Sequence, residues 1–322
     1  MWLSAAVVLW ARRPACPPLR HSPVLRLGPL PGVRGIARGY AGRMADPDPG
    51  TEPAPLRLER AWRSDRVREE VRGAEEALTR LRFHEGLRRG WAEARAETAV
   101  REAVAVSALE GVRTTLDDLR ALTMQDAGGE VSDPDPGTAL ALGVWRAQWN
   151  LALDFPPLNE RSPRRRPAHP LPALVARIHR DTCSALVGTG ALPSRGVAIP
   201  VDPGAARRVV ALASGDLPPL AAAAGIVAEF RAADVVTPGS LAVGAALARW
   251  VLVERGTDPT GVAVVSLLDA EDPAAAGRAL GAWMEGGEEG AVEWLARCVR
   301  AVRRGAEEGA DVARRIQAGR LS

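Results

Sequence analysis

Lysine is missing altogether from this chain of 322 residues: all 42 of its basic side chains are arginine. With alanine, glycine and proline abundant, that bias matches a GC-rich coding genome, so arginine richness says little about nucleic acid. Aromatic residues are sparse, one tyrosine and three phenylalanines beside nine tryptophans. The three cysteines, Cys16, Cys183 and Cys298, lie far apart and give neither a metal-binding spacing nor a disulfide framework. The four histidines, His21, His84, His169 and His179, all lie in the first 179 residues. The apolar run Trp2–Trp10 is far shorter than the roughly 20 residues a membrane-spanning helix needs. The expected compartment is therefore the cytoplasm, with no membrane partner.

The net charge of +3 is unevenly placed: residues 1–43 carry seven arginines and no acid, which leaves −4 for residues 44–322. A mildly acidic body removes the electrostatic case for a nucleic-acid partner. In residues 1–43 the arginines follow the apolar run, whereas a signal peptide carries its positive charge first. The composition admits a transit peptide. The abrupt switch at Met44-Ala-Asp-Pro-Asp-Pro-Gly favours translated upstream sequence with Met44 as the native start, disordered in either case.

Apolar types make up 47 % of the chain, enough for one or two domains with a core. Helical spacing dominates. Val67, Val71, Ala74, Leu78 and Leu81 share one face, Gly86 and Gly90 interrupt, and a second helix runs over Trp91–Leu109. Glu110-Gly111 ends it with glycine at the left-handed cap, and Thr114 or Thr115 caps a helix over Leu116–Met124. Further helices are expected at Thr138–Leu153, Leu171–Leu186, Ala205–Ala213, Leu217–Ala232, Leu241–Arg255, Pro273–Met284 and Ala291–Ala318. Gly196–Val201 is the one plausible strand. Trp145 and Trp149 are spaced as a core stripe. Arg164–Arg166 reads as a solvated loop, His84-Glu85 as a capping or surface pair and His179 as structural. Gly188-Thr-Gly190 lacks the third glycine of a dinucleotide fingerprint. Glu307-Glu308 with Arg303, Arg304, Arg314 and Arg315 reads as a solvated face, and Val292, Leu295, Val299 and Val302 as a stripe that docks on the core or on a second copy.

Arg101–Leu122 carries the strongest pattern. Ser107-Ala-Leu-Glu110-Gly111, followed by Thr114-Thr115-Leu116-Asp117, resembles the inhibitory-helix signature of Fic-domain (Fido) proteins, which transfer AMP from ATP to protein hydroxyls. The spacing from Ser107 is one residue short of the strict form. Leu220–Phe230 resembles the family's helix entering the catalytic loop, and Asp234–Arg249 occupies the position of HPFxDGNGRxxR, with Pro238 for its proline and Arg249 for its terminal arginine. The count between those two is one longer than the family pattern.

That resemblance implies a mainly α, Fic-like helical bundle with a small β-hairpin flap at Gly196–Val201. It divides the chain into the 1–43 leader, a 44–57 linker, a 58–125 region bearing the inhibitory-type helix, a 126–270 core and a 271–322 helical extension. It also implies Glu110 reaching Arg249, and ATP with Mg²⁺ as cofactors, their phosphates held by Gly239, Ser240, Gly244 and Arg249. The loop lacks the chemistry. Thr237, or Val236, stands where the histidine base belongs, and a threonine hydroxyl does not titrate near neutral pH. Leu241 or Ala242 replaces the metal-holding acid. Without a catalytic residue or a metal site, the expectation is a pseudoenzyme with a vestigial nucleotide pocket that acts through an unidentified protein or a second copy. Two rivals stay open: an active adenylyltransferase with an atypical base, and a purely structural helical adaptor.

Overall fold

The computed structural model describes residues 52–128, 134–159 and 170–320. The expectations for residues 1–43 and for Arg164–Arg166 lie outside them. Helices α1 (Ala54–Trp62) and α2 (Asp65–Arg82) open the described chain. The Ser64 hydroxyl accepts the Val67 N–H to start α2, whose Val67, Val71, Ala74, Leu78 and Leu81 are all buried. Helix α3 (Leu87–Leu109) kinks at Gly90 and is enclosed on nearly every side from Ala94 to Ser107. It ends as its sequence predicts, with Gly111 at φ +86°. The Thr115 hydroxyl accepts the Asp118 N–H at the start of α4 (Leu116–Gly128).

Helices α5 (Pro136–Asp154) and α6 (Leu171–Gly188) cross at contact distance because Gly143 presents no side chain: a Cβ there would run into the Thr182 carbonyl oxygen. After them come α7 (Pro203–Ser214), α8 (Pro219–Ala232) and α9 (Ser240–Glu254). A Cβ on Gly244 of α9 would lie 2.5 Å from Phe230 Cβ on α8, so this glycine too is a packing device. The chain closes with α10 (Leu267–Glu271), α11 (Pro273–Glu285) and α12 (Glu288–Gln317). Helix α10 has no counterpart among the expected helices; one and a half turns carry too little periodicity to read.

Two helices are central. α3 and α9 are buried nearly all round, and α12 lies across α1, α2, α3 and α11 with Trp294, Leu295, Val299 and Val302 turned into the larger apolar cluster. The stripe on α12 therefore docks on the core of its own chain. A smaller cluster between α3, α5 and α9 holds Trp145 and Trp149, stacked with ring centroids 6.3 Å apart.

Two expectations are corrected. No strand forms among the described residues: Ser194–Gly196 is a 3₁₀ turn closed by Val197 N–H to Ser194 O, and the extended stretch after it reaches another segment through the backbone bond from Val201 N–H to Val235 O at 2.9 Å. With neither Val201 nor Val235 in a second extended partner, a hairpin flap has no ladder to build. The charged face of α12 is not a purely solvated one either. Glu308 accepts from Arg101 on α3 at 2.6 Å, Arg303 meets Glu70 on α2, and Arg304 meets Glu271 on α10. These residues tie α12 to three neighbours.

The two kinds of glycine separate experimentally. Gly143→Ala should lower stability by about 1–3 kcal/mol through overpacking. Gly277→Ala on α11, where a Cβ meets nothing within 4 Å, should raise it by about 0.5–1 kcal/mol through lost chain entropy. Urea unfolding midpoints of the two variants check both signs.

Candidate functional site

Site geometry starts where α8 turns into α9. Residues Asp234–Gly239 form a tight connection in which Gly239 adopts φ +85°, with Thr182 of α6 so close that a Cβ would lie 2.7 Å from its methyl carbon. Ser240 opens α9, yet its hydroxyl is turned inward, donating to the Phe230 carbonyl at 3.0 Å rather than capping the helix. The first amides of α9 are thereby left for another acceptor, and the positive end of a helix dipole favours an anion there.

Glu110 is that anion. Its Oε1 accepts the Ala242 N–H at 3.1 Å from across the bundle, 132 residues away in sequence. Burial pushes the Glu110 carboxyl up to about 7 from an ordinary value near 4.5. The amides of Ala242 and Leu241 oppose that rise, Asp234 adds to it and Arg231 opposes it. Arg231 is itself paired with Asp269 at 2.6 Å, and Asp269 also accepts from Arg297 at 2.9 Å. The Cys183 thiol, pushed up to about 12 by burial and secondarily by Glu110, is inert.

A histidine does approach the loop, and it comes from α6. His179 is fully buried; its Nε2–H donates to the Pro238 carbonyl at 3.1 Å, and its Nδ1 accepts the Ala198 N–H at 2.9 Å. Burial lowers its pKa, with the Pro238 and Thr237 contacts opposing. Both nitrogens are engaged, so the ring in this arrangement holds the Thr237–Gly239 connection against α6 and Ala198 and has no lone pair free for a substrate proton. His84 is a local turn residue, its Nδ1 accepting the Gly86 N–H at 3.1 Å.

Arg249 lies elsewhere. Its guanidinium donates to Gln148 Oε1 at 2.9 Å and to the Gly261 carbonyl at 2.6 Å, and stacks 5.3 Å from the Phe155 ring. The expected meeting of Glu110 with Arg249 is not made: the carboxylate caps α9, while the guanidinium sits in the core at 1 % exposure. Sequence reading missed its companions. Arg95 donates to Thr260 O at 2.7 Å and Pro156 O at 2.9 Å, and Thr98 donates to Val262 O at 3.0 Å. Glu102 accepts the Ser266 N–H at 3.1 Å, and Asp258 closes the turn onto Thr260 and Gly261 at 3.1 Å each. Burial raises Glu102 and lowers Arg249, each opposing the other's shift. The available signal was Arg95, Thr98 and Glu102 recurring at helical spacing among the alanines and valines of α3.

These residues fit ATP and Mg²⁺ poorly. Gly239 and Gly244 are close-packed against Thr182 and Phe230, Ser240 is turned inward, Arg249 is enclosed and Glu110 occupies the α9 amides. The cavity that meets this helix end, lined by Leu109, Arg231 and Leu241 among others, measures about 50 Å³, against roughly 300–1,000 Å³ for small-molecule sites. Ser107 is fully buried, with no partner for its hydroxyl among the described residues. Its backbone carbonyl accepts the Val112 N–H at 2.8 Å, and Gly111 is the helix stop. No helix among the described residues is long and apolar enough to cross a membrane.

No protein-family model and no curated protein matches this sequence. Its backbone is similar to a solved structure of a Fic family protein from Desulfovibrio desulfuricans G20, with a TM-score of 0.56 and 13 % identity over 77 % of this chain and 75 % of that one. At that identity the likeness is one of fold, and the fold is a Fic-like, mainly helical bundle.

Two measurements probe the site. Glu110 binds its proton more tightly folded than unfolded, so the stability this gives is complete below about pH 4.5 and is lost as pH rises through about 7. Between about pH 5 and 8 the unfolding free energy should therefore fall on the order of 2 kcal/mol further in the native protein than in Glu110→Gln. Arg249→Met strands buried Glu102 and should cost about 3–5 kcal/mol, with much of the loss recovered by adding Glu102→Met. Chemical denaturation of both variants decides whether Arg249 is structural.

Proposed function

We propose that this chain is a Fic-fold protein that has left AMP transfer, keeps a vestigial nucleotide pocket closed by its own Glu110, and works through contacts with another protein or a second copy. One observation carries the reading: the α9 helix end, the natural seat for a phosphate, donates its Ala242 N–H to the chain's own Glu110 carboxylate. The loop supports it. Thr237 cannot act as a base at neutral pH, and Leu241 and Ala242 offer no oxygen from a side chain to a divalent cation. The fully buried side chains around Gly239 and Gly244 leave little room for a triphosphate.

His179 favours a second reading, an active adenylyltransferase whose base comes from α6 instead of the loop. For that, the ring would have to give up Pro238 or Ala198 and reach solvent, at the cost of stranding a buried polar group.

Calorimetric titration with ATP and Mg²⁺ tests the first reading. The native protein should give no saturable heat, and Glu110→Ala should acquire weak binding once the α9 amides are open. Absence of heat in both proteins removes the pocket and leaves a helical adaptor. Transfer of α-labelled AMP to any protein, abolished by His179→Gln, establishes the second reading instead.

A further inference from the structure

Helix α12 ends against the turn that joins α2 to α3, and two glycines allow it. A Cβ on Gly86 would lie 2.2 Å from the Ala313 carbonyl oxygen, and one on Gly90 2.4 Å from the Ile316 side chain. The approach gathers charge of one sign. Residues 80–90 and 311–320 hold seven arginines against two acids, in a body (residues 44–322) whose net charge is −4. Glu76, Glu85 and Asp311 each pair with an arginine of this set, Arg80, Arg88 and Arg314. Arg82, Arg89, Arg315 and Arg320 are exposed and meet no carboxylate among the described residues.

Folding explains part of this. Arg80, Arg82, Arg314 and Arg315 occupy the last turns of α2 and α12, where a cation offsets the negative end of the helix. It does not explain Arg88 and Arg89. They stand in the first turn of α3, which holds no acid and has no side-chain cap, so each works against the helix it begins. Nor does it explain Phe83, at 76 % the most exposed large apolar side chain among the described residues. The Arg82 guanidinium lies 5.6 Å from its ring, so an apolar face and a cation are presented together. The cavities of about 50, 240 and 220 Å³ are lined by other residues. A ring that projects from a turn offers no pocket to a peptide side chain and no channel along which to track a nucleic-acid strand. It suits a fluid partner that closes round whatever projects.

We propose that this corner, the α2–α3 turn with the end of α12, docks on an anionic lipid bilayer. Phe83 enters at the headgroup boundary, and Arg82, Arg89, Arg315 and Arg320 lie against lipid phosphate and carboxylate groups. Apolar insertion and attraction to anionic headgroups act together, as interfacial attachment requires. Each arginine near such a surface strengthens binding about fivefold, an effect that falls off within a Debye length, about 10 Å in 0.1 M salt. The protein lies on the bilayer and does not cross it. The surface stands apart from the Glu110–α9 contact and does not rest on the reading of the chain as a lapsed AMP-transferase.

Co-sedimentation of the full chain with vesicles tests this. Vesicles of phosphatidylcholine with phosphatidylserine should bind it in about 0.1 M salt and release it in about 0.5 M, and phosphatidylcholine alone should not bind it. Phe83→Ser should weaken binding about tenfold, and Arg89→Gln combined with Arg320→Gln about twentyfold. All three side chains are exposed, so circular dichroism should stay native. Arg207→Gln combined with Arg278→Gln removes the same charge from exposed positions on α7 and α11 and should leave the affinity unchanged. No binding to either vesicle overturns the proposal and leaves an acidic protein segment as the occupant. Binding that survives in both corner variants overturns it too and moves attachment elsewhere, the arginine-rich residues 1–43 included. An equal loss in the Arg207 and Arg278 control makes net charge the cause and overturns the assignment to this corner. Indifference to Phe83→Ser alone overturns the insertion of the ring.

Discussion

The fold is organised around a polar clamp inside an apolar bundle. From Ala94 to Ser107 helix α3 is enclosed on nearly every side, a position that charged residues normally avoid, yet it carries Arg95, Thr98 and Glu102 at zero to 2 % exposure. Each reaches the same target, the irregular stretch from Asp258 to Ser266 that follows α9: Arg95 takes Thr260 O, Thr98 takes Val262 O, and Glu102 receives Ser266 N–H. Arg249 closes the arrangement from α9 through Gly261 O and Gln148. A buried loop is tolerable only if its backbone groups are paired, and here side chains of the central helices do the pairing. Removing one partner would leave its counterpart charged and dry, so the clamp fixes the relative placement of α3, α5 and α9 more sharply than apolar packing alone could.

Everything at the α9 helix end follows from that placement. Because α3 is held in register by its middle, its C-terminal turn delivers Glu110 to the amides of Leu241 and Ala242. The carboxylate gains two backbone contacts and the field of a helix end, but pays for desolvation. Burial is the largest influence on its pKa, and it wins. A glutamate half-protonated near neutral pH, packed beside Asp234 and Arg231, is a weaker lock than a fully ionised one would be. The fixed geometry of α3 compensates by keeping the group at the helix end whichever state it is in.

Much of the helical layout was legible in the sequence, because α2, α3, α5, α6, α8, α9 and α12 each combine a periodic apolar face or a continuous apolar run with a recognisable stop. Gly111 at the end of α3 and Thr115 ahead of α4 behaved as capping chemistry predicts. The extended reading of Gly196–Val201 failed for a reason periodicity cannot reveal. A strand needs a partner of matching length, and this segment is instead anchored at single points, Ala198 to His179 and Val201 to Val235. The α12 charges failed similarly: a mixed Glu/Arg surface looks solvated until another helix is laid against it. Within the site, the glycine stop of Gly111 and the turn ahead of α9 were visible residue by residue. The destination of each side chain was not, since Glu110 and Arg249 differ in partner through long-range packing alone.

Arg249 shows how strongly that packing constrains a single side chain. From the last part of α9 its guanidinium is directed toward Gln148 of α5 and the Gly261 carbonyl, away from the Ser240 end of the helix. Once there it is dry, and a dry guanidinium needs acceptors and a counter-charge, which Gly261, Gln148, Glu102 and Asp258 provide. Freeing it for a ligand would mean breaking a buried network rather than turning a surface side chain. The arrangement thus ties the stability of this fold to an arginine held in the core between α3, α5 and the stretch that follows α9.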